Sequence, residues 1–249
     1  KISNSIFGKN IKRWTKLPGG KGRYQLKSLI KKSDKEILEE YIYMSKFWNK
    51  ERGWEYKKYK EKFTGKNVIE VGTGLGFDAY TYAQKANSYT CIDINPIQIE
   101  FIKRIHKLLS LSDGTTSSNI FYQLLEDPFN HNYGENKFNA FYSHGVFHHI
   151  PFEDAKKQFK NLNKFLEKGC YVVFLMYPRA RWEDAGKPNF RDFGKSTDGE
   201  CPWTEWYDEE KIINLVGYEF KLIDVIPWEF QKKETGDIPA FINFELVKI

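Results

Sequence analysis

Three sets of residues in this 249-residue chain have types and spacings suited to chemistry. The first is Glu70-Val71-Gly72-Thr73-Gly74-Leu75-Gly76-Phe77, followed by Asp93 about 20 residues after Gly72. Glycines at alternate positions let a ligand approach the backbone closely and tolerate positive φ. A dinucleotide turn, G-x-G-x-x-G, needs its third glycine one place later, where Phe77 stands. A carboxylate two residues before the turn suits a cationic ligand and would repel a diphosphate. Asp93 sits at the distance from the turn where an acid reaches ribose hydroxyls; the alternative is a helix cap ahead of Pro96. The second set is His144, His148 and His149, three of the chain's five histidines. Histidine titrates near neutrality and can accept a proton from a reacting hydroxyl. The third set lies in residues 178–207 and its flank: Arg179, Arg181, Trp203 and Tyr177. Arginine forks hold phosphate or carboxylate, and aromatic rings stack on sugars; internal salt bridges are the competing use of those arginines.

The elements that must position these residues alternate strand and helix. Short apolar strands are expected at 67–71, 89–94, 120–123, 139–143 and 169–177, with helices at roughly 77–86, 96–110 and 153–166. Residues 208–216 read as a helix stopped by Gly217, and 220–225 and 241–248 as two closing strands. Ser33-Asp34-Lys35-Glu36 has the form of a capping box, opening an amphipathic helix from Ile37 to Trp48. A second short helix is expected from Trp54 to Phe63. Pro18-Gly19-Gly20-Lys21-Gly22-Arg23 reads as a loop, Leu111 to Asn119 as another, and residues 178–207 as a long segment without a clear element. Acceptor loops of open α/β sheets lie at the carboxyl ends of the strands, where the glycine turn, Asp93 and the histidines would all fall.

Composition narrows the class further. With 41% hydrophobic and 17% aromatic residues the chain can build a sizeable core. Its three cysteines, Cys91, Cys170 and Cys201, have no zinc spacing, and no metal dependence is expected. Nothing points to disulfides, which makes a reducing compartment the expectation, and no apolar run is long enough to span a bilayer. The sequence begins at Lys1 rather than Met, so the natural N-terminus is out of view; nothing in the residues present implies a signal peptide, and a cytoplasmic location is the expectation. Residues 1–64 hold 18 Lys and Arg against 7 Asp and Glu. The net charge of +6 therefore comes wholly from this N-terminal segment, and the remainder is mildly acidic.

Glu-x-Gly-x-Gly-x-Gly at 70–76 and Asp-x-Asn-Pro at 93–96 resemble the donor-binding motifs of class I S-adenosylmethionine-dependent methyltransferases, and Ser143 to Ile150 is similar to the post-strand-four motif of the small-molecule branch. The resemblance covers roughly residues 66–249. It implies an α/β, Rossmann-like, seven-stranded mostly parallel sheet with helices on both faces, at 65–249. It also implies a basic N-terminal helical cap or lid over 1–64 and an acceptor-binding insertion at 178–207. S-adenosylmethionine, leaving as S-adenosylhomocysteine, would contact Glu70, Gly72, Thr73, Gly74, Gly76, Asp93, Ile94 and Ser143, with either Glu126 or Asp127 facing the adenine. The general base would be His148 first, then His144, with His149 as the remaining candidate. Arg179, Arg181, Trp203 and Tyr177 would hold the acceptor.

The expected activity is methylation of a small polar metabolite, on oxygen, the acceptor being sugar-like or phosphorylated. The Lys-, Ile- and Asn-rich composition fits an AT-rich bacterial source, where the family often modifies surface polysaccharides. Two alternatives stand beside it. One is an RNA methyltransferase using the basic N-terminal segment for salt-dependent phosphate binding. The other is a donor-binding protein without catalysis.

Overall fold

A computed structural model describes residues 5–16, 22–115, 117–135, 137–197, 201–228 and 238–249. Most of the Pro18–Arg23 loop expected from sequence lies outside the described residues. The chain opens with helix α1 (Ile6–Trp14) and divides into two compact units, one of residues 11–126 and one of residues 1–10 with 127–249.

In the unit of residues 11–126, α2 (Leu26–Leu29) and α3 (Asp34–Lys62) precede a regular alternation of β1 (Asn67–Val71), α4 (Phe77–Ala83), β2 (Ser88–Asp93), α5 (Pro96–Asp113) and β3 (Ile120–Leu124). The three strands are parallel in the order β3-β2-β1, with Val71 opposite Ile92 and Asp93 opposite Leu124. The capping box at Ser33 and Glu36 forms as expected. The two helices expected at 37–48 and 54–63 are instead one helix of 29 residues. Its weak point is Gly53, which costs about 1 kcal/mol in a helix interior. Arg52 and Glu55 form a buried ion pair around it, and Arg52 is also tied to Asp78 of α4, which holds the turn closed. Helix α5 likewise runs on to Asp113, three residues further than expected, and stops at Gly114 in the left-handed region.

The other unit contains β4 (Phe138–His144), a single 3-10 turn at Phe147–His149, α6 (Phe152–Asn163), β5 (Leu166–Pro178), α7 (Arg179–Asp184), α8 (Phe190–Ser196), β6 (Trp206–Tyr207), α9 (Glu209–Val216), β7 (Phe220–Pro227) and β8 (Ile242–Lys248). Strand β5 pairs parallel with β4 and antiparallel with β8, which pairs antiparallel with β7. Nine of the 13 residues of β5, Cys170 to Pro178, form an unbroken buried run, as a strand covered on both faces requires. Phe141, Phe147, Phe159 and Phe174 pack edge-on and tilted in its core, all fully buried.

The segment 178–207 is not devoid of elements. It carries α7, α8 and the two-residue β6, which pairs Trp206 with Tyr177 at the end of β5. The signal for α8 is the cap Asn189, whose side chain accepts from the N–H groups of Arg191 and Asp192. Gly194 in that helix lies against backbone: a Cβ there would stand 2.5 Å from the carbonyl oxygen of Cys201. The seven expected strands are all present, with β6 as an addition, and the architecture is the mixed α/β, Rossmann-like class that the sequence implied. No helix among the described residues is long and apolar enough to cross a membrane.

Candidate active site

The glycine turn is built by the strand before it and the helix after it. Gly72, Gly74 and Gly76 all have positive φ, at 81°, 57° and 78°. The N–H of Gly72 donates to Ile92 O at 2.7 Å, which ties the turn to the end of β2. Gly76 has a second reason to lack a side chain. A Cβ there would lie 2.6 Å from His106 Nε2, the same nitrogen that bonds Gly76 O at 2.8 Å. Since a carbonyl only accepts, His106 carries its proton on Nε2 and takes a bond from the Tyr122 hydroxyl on Nδ1 at 2.8 Å. Burial pushes His106 down to about 4, so it is neutral at pH 7.

Two predicted carboxylates end at this turn. Asp93 accepts the Asn95 N–H at 2.9 Å, and burial pushes it up to about 6 against the opposing N–H groups of Asn95, Gly74 and Ile94. The cap of α5 is Asn95, which accepts from Ile97 N at 3.0 Å, so the helix-cap alternative does not account for Asp93. Glu70 is buried, its Oε2 has no hydrogen-bond partner among the described residues, and burial together with nearby Asp78 pushes its carboxyl well up. Thr73 is buried and bonds Ile92 O, and Ile94 is half-buried beside Asp93.

Sequence reasoning missed the acids' neighbours. Asp78 in the first turn of α4 is buried, with Oδ2 2.9 Å from Arg52 and Oδ1 without a partner among the described residues. Arg52 is in turn 2.9 Å from Glu55, and Tyr41 stacks on Phe77 at 4.3 Å. The i,i+3 pair Arg52–Glu55 was visible in the sequence; its link to Asp78 was not. A dry turn with two orphaned carboxylate oxygens fits a ligand that brings positive charge and hydroxyl donors, as an amino-acid sulfonium nucleoside does.

Of the two acids after β3, Asp127 is used locally. It accepts from Phe129 N at 2.9 Å and Asn130 Nδ2 at 3.0 Å, which hold it below the usual carboxylate range. Glu126 is exposed.

The histidines lie in the unit of residues 127–249. Strand β4 ends at His144, and Gly145 at φ 72° turns the chain into the 3-10 turn that carries the other two. His148 and His149 are buried and face each other, Nε2 to Nε2, at 3.1 Å. Their backbone is pinned from both sides: Glu205 N donates to His148 O at 2.7 Å, and Asn10 Nδ2 to His149 O at 2.9 Å. The Tyr177 ring lies 4.5 Å from the His148 ring, and Arg181 sits 4.4 Å over Tyr177. Burial, reinforced by His149, His144 and Arg181, holds His148 well below the usual histidine range.

His144 takes a different place, with its ring 5.5 Å from Trp228. Ser143 is buried in β4 opposite Phe174. Arg179 is occupied by Glu183 and Asp208 at 3.3 and 3.4 Å. Arg181 makes no ion pair among the described residues; it donates to Ala240 O at 2.9 Å and borders a cleft of about 210 Å³ with Asp184, Phe193 and Thr197. Trp203 packs on Phe190 and donates its indole N–H to Glu205, which Lys211 also holds at 2.6 Å. Cys201, Thr197 and Thr204, which sequence reasoning passed over, are buried around His149. Among the described residues no group of three or more His, Cys, Asp or Glu is arranged to hold a metal ion.

Residues 69–172, which include the glycine turn, Asp93 and the histidines, match the family model for a methyltransferase domain. No curated protein sequence matches the chain. Solved structures do. A methyltransferase from Anabaena variabilis superposes with a TM-score of 0.62 at 15% identity, over 98% of this chain and 95% of that one. Magnesium protoporphyrin IX methyltransferase from Synechocystis, solved with S-adenosylhomocysteine, gives 0.58 at 14% identity, over 100% and 96%. The N-methyltransferase NodS from Bradyrhizobium japonicum, also with S-adenosylhomocysteine, gives 0.55 at 14%, over 90% and 96%. Residues 69–172 therefore carry a methyltransferase domain, in a chain that shares the class I, Rossmann-like fold of these structures.

Proposed function

We propose that this methyltransferase acts on an oxygen of a small polar metabolite, anionic or sugar-like, with His148 as general base. The observation that carries the reading is the buried His148 whose Nδ1 has no partner among the described residues, beside Tyr177 and Arg181. A hydroxyl is a poor nucleophile until its proton is removed, and a neutral buried imidazole is the group that can remove it. An amine would have less need of such a base. Arg181, which has no carboxylate partner among the described residues, supplies a fork for phosphate or carboxylate. The Tyr177 ring and the indole of Trp203 offer flat apolar surface for a sugar. Arg179 ranks lower, because its charge is already matched.

The donor supplies the activated methyl group. Around it we assign Asp93 to the ribose hydroxyls, Glu70 to the cationic amino-acid end, and the turn Gly72–Gly76 with Thr73 to close backbone contact. Ile94 and Ser143 complete the contact set, and Glu126 rather than Asp127 faces the adenine. Residues 1–64 are assigned the cap and 178–207 the acceptor insertion. Cytoplasmic location and a role in bacterial surface-polysaccharide modification complete the reading.

The test is S-adenosylhomocysteine release from a panel of hydroxylated sugars, sugar phosphates and matched amines. Turnover should favour the anionic alcohols, and Arg181→Ala should raise KM for them while sparing neutral alcohols. Turnover of amines that survives His148→Ala would overturn oxygen transfer. Turnover only with RNA fragments, suppressed by salt, would replace the small acceptor with nucleic acid.

A further inference from the structure

A run of hydrogen bonds in the unit of residues 127–249 fixes where the protons of the histidine pair sit. It begins at Gly194 O, which can only accept. The Thr197 hydroxyl donates to it at 3.2 Å, so toward Thr204 the Thr197 oxygen is the acceptor, at 3.0 Å. That spends the Thr204 proton, and its oxygen therefore accepts from His149 Nδ1 at 3.1 Å. Trp203 O, 3.0 Å from the same nitrogen, is a second acceptor. Two acceptors on one ring nitrogen place the proton there. Neutral His149 then has a lone pair on Nε2. The Cys201 thiol at 3.8 Å agrees, since toward that nitrogen it can act as a weak donor. His148 Nε2, 3.1 Å away, must supply the proton between the rings. A neutral imidazole with its proton on Nε2 carries its free lone pair on Nδ1, and His148 Nδ1 is buried with no partner among the described residues.

We infer that His149 is a positioning residue: fixed by Thr204 and the Trp203 carbonyl, it locks His148 in the Nε2–H form and leaves Nδ1 as the nitrogen that accepts the acceptor's proton. The inference rests on the base role proposed for His148, but the proton order stands on the hydrogen bonds alone. The step balances simply. The acceptor oxygen forms its bond to the methyl carbon as the carbon–sulfur bond breaks and its electron pair returns to sulfur. The hydroxyl proton passes to His148 Nδ1. The resulting imidazolium keeps its Nε2–H bond to His149, which gains strength as the donor becomes charged. The insertion 178–207 thereby acts on chemistry through backbone and hydroxyl groups as well as through its charged side chains.

Nitrogen NMR on the whole protein, labelled with ¹⁵N in histidine, reads this directly, without a variant that must fold. The expected spectrum has His148 protonated at Nε2 and bare at Nδ1, and His149 protonated at Nδ1 and bare at Nε2. The reverse order in either ring overturns the inference. In kinetics, His149→Leu should lower kcat by roughly 100-fold with the donor's KM unchanged. His149→Gln, whose amide oxygen can stand in for Nε2 as acceptor, should restore most of that rate. Equal rates for the two variants would remove His149 as a positioning residue. The expected NMR pattern together with normal turnover by His148→Ala would instead leave the proton order intact and remove the base assignment on which the catalytic part depends.

Discussion

The turn that ends in Gly76 and the pocket around His148 solve opposite electrostatic problems with the same means. Both bury ionisable groups. In the unit of residues 11–126 the buried groups are mostly acids, Glu70, Asp78 and Asp93, and burial drives Glu70 and Asp93 toward the uncharged form. In the unit of residues 127–249 they are the histidine pair together with Glu205 and Glu245, and burial again favours the uncharged form of His148. The outcome for a ligand differs. An acid held neutral only by lack of water ionises when a cation arrives, so the first region is set to bind positive charge. A histidine held neutral has a lone pair to offer, so the second is set to take a proton. On the proposed function one region would carry affinity and the other rate, and each prediction below tries to blur that division.

The largest effect expected is on rate. His148→Ala should lower kcat by about 100- to 10,000-fold and leave calorimetric binding of S-adenosylmethionine within twofold. A comparable loss of donor binding would merge the two regions into one function. Next is Asp93→Ala, which removes the carboxylate proposed to hold the ribose hydroxyls. It should weaken S-adenosylmethionine and S-adenosylhomocysteine by about 10- to 100-fold alike, the range for hydrogen bonds to a charged group. Tighter binding of NAD than of either ligand would break the donor assignment itself.

Glu70→Gln separates binding from stability. The side chain is nearly isosteric, and it removes a carboxyl whose Oε2 is buried without a partner among the described residues. Donor affinity should fall about tenfold through loss of a charge-assisted contact, while the melting temperature stays constant or rises by roughly 2–4 °C. A variant that lost both together would mark Glu70 as structural, and Asp78 would become the stronger candidate for the ligand's cation.

How much of this was legible beforehand depends on the range of the interaction. The turn at 70–76 and Asp93 were readable because strand, glycine spacing and acid lie within one βαβ unit. The capping box at Ser33 and the stop at Gly217 were readable for the same reason, since caps are local. The continuation of α3 through Gly53 was not, because Arg52 is held by Asp78, 26 residues away. The histidines were visible as a cluster with His148 placed first, but the groups that bond His149, Trp203 O and the Thr204 hydroxyl, lie 54 and 55 positions along the chain. Arg179 and Arg181 looked equivalent in sequence. Only the placement of Glu183 and Asp208 matches the charge of one and not the other.

The smallest effect tests the opposition of sign between the regions. Consider acidification from pH 6.5 to 5. His148 titrates well below its unfolded value near 6.5, so its contribution is present above that value and is lost as pH falls. Around the glycine turn, Asp93 at about 6 and Glu70 well above its unfolded value bind protons more tightly when folded. Their contribution is full at low pH and is lost as pH rises through the folded values, so acidification restores it. His106, at about 4, opposes them with the sign of His148. Two groups against one leave a net gain in stability for residues 11–126. Amide hydrogen exchange at the two pH values, corrected for intrinsic rates, should show protection rising in β1 and β2 and falling across residues 144–149. Parallel changes in both places would mean that burial does not bias the acids and the histidine in the way their surroundings require.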